Sequence, residues 1–91
     1  MALAAGSAGE DHNAEGINHY EKGHWDKAEM HFRSAVKADD KSAAAHYNLA
    51  LSLDKLENHR EATAEFGTAL KLAPDNPAIA GSEILKKHLG R

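Results

Sequence analysis

AAAHYNLALSLDKLENHREATAEFGTALKLAP, residues 43–74, is the stretch whose reading decides the fold. Tyr47, Leu49, Ala50, Leu51, Leu53 and Leu56 give its first half a broad apolar surface from Ala43 to about Leu56. Glu57-Asn58 interrupts that surface, and Asn58 has the side chain of a helix N-cap. Ala62, Phe66, Ala69, Leu70 and Leu72 then recur at three- and four-residue intervals, the stripe of an amphipathic helix. Pro74 disfavours helical geometry in the residue before it, so this second helix should stop near Leu72 or Ala73. Two helices joined by a tight turn leave an apolar stripe that one hairpin cannot bury alone.

The rest of the chain supplies neighbours. Sliding the sequence over itself by 34 places aligns His12 with His46, Ala28 with Ala62, Phe32 with Phe66, Ala35 with Ala69 and Lys37 with Lys71. Ile17 falls on Leu51 and Val36 on Leu70; a second shift of 34 puts Ala44 on Ala78 and Leu51 on Leu85. The matches sit on small or apolar positions, where a packed repeat constrains chemistry most. Unit one therefore spans 9–42, with helices from about Glu10 to Lys22 and from about Trp25 to Ala38 around a turn at Gly23-His24. Unit two spans 43–76. Pro77 suits a first helical turn, and a fifth helix is expected to run to about Leu89 within 77–91, with Ile79, Ile84, Leu85 and Leu89 as its apolar side. Residues 1–8 are expected to be a flexible tail.

This 34-residue helix–turn–helix resembles the tetratricopeptide repeat. Unit two carries Tyr47, Leu49, Ala50 and Leu53 in its first helix, then Ala62, Phe66, Ala69 and Pro74. Unit one carries Gly16, Tyr20, Gly23, Trp25, Ala28, Phe32 and Ala35, and departs from the pattern at Asp40, where a proline is usual. The resemblance covers 9–76, and the solvating helix common in the family accounts for 77–90. It implies an all-α fold, a short right-handed α-solenoid of about five helices, in which Gly16 or Ala50 with Ala28 or Ala62 lets the helices of one hairpin approach closely.

Composition excludes several function classes. The 91 residues carry a formal charge of −3 with both signs interspersed, and no basic face that would engage nucleic acid. Cysteine is absent, which removes disulfides, thiolate metal sites and a cysteine nucleophile. No apolar run approaches the roughly 18 residues of a membrane span. The opening MALAAGSAG lacks the basic region of a signal peptide, and the chain fits the cytoplasm or the periplasm equally.

Histidine is the one residue type here that invites a catalytic or metal reading. His12, Glu15 and His19 share one face of the first helix, but His12 and His19 are two turns, about 10.5 Å, apart. One ion with bonds near 2 Å cannot span that gap, and Glu15 with His19 alone is too small a set. In unit two the same places hold His46, Leu49 and Leu53, so polar residues here fit the uncovered face of a first repeat. His24 and His59 fall at turns, His31 has no carboxylate four residues away, and His88 lies near a helix C-terminus, which favours a charged imidazole. Ser34, Ser42, Ser52 and Ser82 lack a nucleophile-elbow setting, and no glycine-rich phosphate loop exists. No enzyme activity, metal or other cofactor is expected.

What the resemblance implies is a binding groove lined by the first helix of each unit. Its expected contacts are Asn13, Ile17 and Tyr20 in unit one, Tyr47, Asn48, Leu51 and Lys55 in unit two, and Leu85 in the last helix. Tyr20, Tyr47 and Leu51 would supply affinity, while Asn13 and Asn48 would orient a peptide backbone. The family's carboxylate clamp for chaperone C-terminal tails uses a lysine and two asparagines in the first two units, then lysine and arginine in the third first helix; those five places here hold Asn13, Ile17, Asn48, Ala78 and Ser82, of which Asn48 alone matches. Without cationic side chains such tails are disfavoured. The expected partner is an unidentified protein or peptide. The alternatives are homo-oligomers formed by stacking of hairpin faces and, more remotely, a histidine-based metal binder.

Overall fold

The computed structural model describes residues 10–90, and the secondary structure among them is helical throughout. α1 (Glu10–Glu21) and α2 (Trp25–Ala38) make the first hairpin, and α3 (Ala43–Lys55) and α4 (His59–Leu72) make the second. α5 (Pro77–Ala80) and α6 (Glu83–Leu89) follow. The tail expected over residues 1–8 lies outside the described residues.

Both hairpins turn by the same device. At the end of α1 the His24 N–H donates to the His19 carbonyl (2.9 Å) and Gly23 N–H to that of Tyr20 (3.0 Å). At the end of α3 the Asn58 N–H donates to Leu53 (2.9 Å) and Glu57 N–H to Asp54 (3.0 Å). This is a Schellman closure, which requires a left-handed residue just past the helix. Gly23 takes that conformation at φ +78°, and Glu57, the equivalent residue, takes it at φ 64° against its steric preference. Ser42 caps α3 by accepting from the Ala45 N–H (3.1 Å), and Asn58 caps α4 by accepting from that of Glu61. Each such cap contributes about 1 kcal/mol.

The core follows the small and aromatic positions of the repeat. Ala28, Phe32 and Ala35 on α2, and Ala62, Phe66 and Ala69 on α4, are all buried. Gly16 shows how tightly α1 meets α2: a methyl group there would lie 2.4 Å from the Phe32 ring. α3 is the central element, packed on α4 and α2 and touching α1, and every residue from Ala45 to Leu53 is buried. Among the described residues α1 is less covered: of those of known exposure only Asn13 and Gly16 are buried.

The hairpins are fastened to each other by charge as well. Arg33 reaches from α2 to α4 with two parallel bonds to Glu61 (2.7 and 2.9 Å), and its Nε donates to Glu29 (2.8 Å). These bonds hold the Glu61 carboxyl below its ordinary range, the Arg33 hydrogen bond being the main cause. Because Arg33 is largely exposed, the pair is worth at most about 1 kcal/mol.

The C-terminal segment corrects one expectation. A continuous helix from Pro77 to Leu89 is expected from the sequence, but the chain breaks at Gly81-Ser82. Glycine is a poor helix former and serine a good N-cap. Ser82 Oγ accepts from the Leu85 N–H (3.3 Å) and restarts the helix as α6. Ile79 before the break and Leu85 after it are both buried, so the bend directs two apolar anchors into the core.

Candidate partner-binding face

Seven of the eight expected site residues lie on α1 and α3, which touch along a seam, and Leu85 lies on α6. At one end Asn48 Nδ2 donates to Asn13 Oδ1 across the helices (2.9 Å), both side chains being buried. Ile17 and Leu51 belong to the core cluster on the same seam. Farther along sits Tyr20, half-buried, its ring edge-on to Trp25 at 5.1 Å. Burial pushes the Tyr20 phenol above its ordinary range, with Tyr47 and Asp54 adding to the effect. The Lys55 ammonium stands 5.3 Å from the Trp25 ring centroid, a cation–π contact that joins the end of α3 to the start of α2. Tyr47 packs edge-on against Phe66 (5.6 Å), and its hydroxyl donates to Ser82 Oγ (2.7 Å).

Exposure divides the eight residues differently from the expectation of an open groove. Asn13, Tyr47, Asn48, Leu51 and Leu85 are each at most 4 % exposed, because the neighbouring helices close over them. Ile17 and Tyr20 are half-buried and Lys55 is exposed. The first five are enclosed within the protein. The last three hold the surface that another molecule could touch directly.

A tetratricopeptide repeat family model matches residues 13–80, about three quarters of the chain. The chain belongs to the tetratricopeptide repeat family. No curated protein and no solved structure matches it. Tetratricopeptide repeats mediate protein–protein interaction. No described helix of this tetratricopeptide domain is long and apolar enough to cross a membrane.

The repeat geometry also assembles groups that are distant in sequence. His46, buried at the start of α3, places Nδ1 2.5 Å from a Glu65 oxygen on α4 and Nε2 2.7 Å from the Asp40 carbonyl. A carboxylate and a carbonyl on either side of the ring suit the protonated imidazole, which can donate from both nitrogens. The Glu65 bond chiefly raises the His46 pKa above its ordinary value, against the opposing effect of burial. His88 is not a free imidazole at a helix end. Its Nε2 lies 2.6 Å from Asp54 and its Nδ1 2.8 Å from Thr63, docking α6 onto the second hairpin.

On the first hairpin His19 stacks on His31 (5.4 Å between rings, 9° between planes) and lies near His24, while His12 approaches His31 at 5.9 Å. Loss of solvation lowers the His19 pKa, and the charge of His31 lowers it further. Helical spacing pairs Glu15 with His19 but carries no sign of His31, which joins them from the other helix of the hairpin. Glu65 and Thr63 escape sequence reasoning for the same reason.

Proposed function

We propose that this tetratricopeptide domain is an interaction module that holds a segment of a partner protein along the α1–α3 face. Ile17 and Tyr20 anchor an apolar side chain of that segment, and Lys55 lies beside them at the rim. The observation that carries the reading is the group of half-buried Tyr20 and Trp25 with exposed Lys55, an aromatic and cationic surface joined by its own ring and cation–π contacts. Such preorganised aromatic positions dominate binding energy at protein interfaces. Asn13, Tyr47, Asn48, Leu51 and Leu85 shape the floor and keep α1, α3 and α6 in register. Acidic chaperone tails do not suit this face, since the five clamp places offer no cationic side chain.

The test is selection of peptides from a display library against the intact chain, followed by titration of the selected peptide. Tyr20→Ala should weaken binding at least about tenfold with helicity unchanged. A Lys37→Ala exchange in the cleft lined by α2 and α4 should leave affinity unchanged. The opposite pattern would place recognition on the outer side and overturn the assignment.

A further inference from the structure

We propose that Glu15, His19 and His31 form a zinc-binding site that ties α1 to α2 on the face of the first hairpin turned away from α3. One ligand atom from each of the three lies within 4.8 Å of the others. Bonds near 2 Å in a tetrahedral sphere set ligand atoms about 3.3 Å apart. Small side-chain rotations on a surface cover the remaining distance. Two imidazoles and a carboxylate are a recognised zinc set, leaving a fourth position for water or for His24, whose Nδ1 is 3.5 Å from that of His19.

The comparison with the second repeat gives this cluster its weight. One repeat length on, Glu15, His19 and His31 become Leu49, Leu53 and Glu65. Leu49 and Leu53 are buried in the core, and Glu65 is bonded to His46. In the first repeat these places instead carry metal-ligating side chains with no hydrogen bond from Glu15 or His31 to a described residue. When protonated the two imidazoles repel each other, whereas as neutral rings each offers an in-plane lone pair that a common cation can take up. Asp54, His59 and His88 form the other candidate triad. There His88 is already bonded through both nitrogens, to Asp54 and Thr63, and serves as a dock for α6. A zinc ion at Glu15, His19 and His31 would cross-link the first hairpin on the side where the second is held by packing.

Calorimetric titration of the untagged full chain with zinc chloride near neutral pH, with 15N NMR of the imidazoles, tests the proposal. One ion per chain should bind, moving the His19 and His31 signals. His19→Gln, His31→Gln and Glu15→Gln should each weaken binding by at least about tenfold. His59→Gln should not, and excess magnesium should not compete. Circular dichroism of each variant should be unchanged, since Glu15 is exposed and His19 and His31 are half-buried, outside the core. Absence of binding, unaltered affinity in His31→Gln, loss of binding in His59→Gln, or half an ion per chain would each overturn the site.

Discussion

The two repeats share a 34-residue plan and differ in what covers them. In the second, α3 lies between other helices, and the places for neighbour contact carry Leu49, Leu53 and the His46–Glu65 pair. In the first, α1 contacts α2 and the edge of α3, and the same places carry Glu15, His19, His12 and His31. Backbone geometry is nearly indifferent to this exchange: both turns close through the same hydrogen bonds and both second helices bury alanine, phenylalanine and alanine. What changes is the chemistry of the facing positions. A repeat fold therefore keeps its small and aromatic residues for shape and varies the remaining positions with coverage.

The largest expected effect is at the contact between the helices of the first hairpin. Gly16→Ala drives a methyl group into Phe32, and thermal or urea denaturation should register a loss of about 1–3 kcal/mol. The second repeat already carries Ala50 at that place, so tolerance of Gly16→Ala would mean that the hairpins are packed alike. The His46–Glu65 pair should give an intermediate effect that depends on pH. The folded-state pKa of His46 is raised, so its stabilisation is complete below about 6.5, the ordinary histidine value. It is lost as pH rises through the folded pKa, because the folded state then releases the extra proton. Urea midpoints of the parent should accordingly fall across this window relative to His46→Gln; parallel midpoints would contradict the ion pair. The smallest effect concerns the turns. Glu57→Gly removes the left-handed strain that Gly23 avoids, and should stabilise by about 1 kcal/mol, less the entropy glycine adds to the unfolded chain.

Much of this fold is legible in the sequence because its signals are local. The apolar intervals of α2 and α4, the Asn58 cap, Pro74 and the small residues at fixed offsets each act within one helix or one turn. The α5–α6 break was less accessible. Gly81-Ser82 offers a local stop and cap, but Ile79, Ile84, Leu85 and Leu89 are compatible with one stripe; the bond from Tyr47 to Ser82 and the burial of Ile79 and Leu85 add the tertiary reason for the bend. The binding face lies between these cases. Helical spacing puts Asn13, Ile17 and Tyr20 on one side of α1. Their exposure depends on how α3 closes against α1, and that is a tertiary property. His31 with Glu15 and His19, and Glu65 with His46, meet across helices and leave no trace in a helical period.

Native-state hydrogen exchange in the presence of a zinc chelator tests most directly the claim that coverage separates the repeats. Amides of Ala50–Leu53 in α3 should exchange only through global unfolding. Those of Ile17–Tyr20 in α1 should exchange through a smaller opening, at a free energy lower by at least about 1 kcal/mol. Equal protection of α1 and α3 would contradict the account, because the less buried first helix would then be as firmly held as the central one.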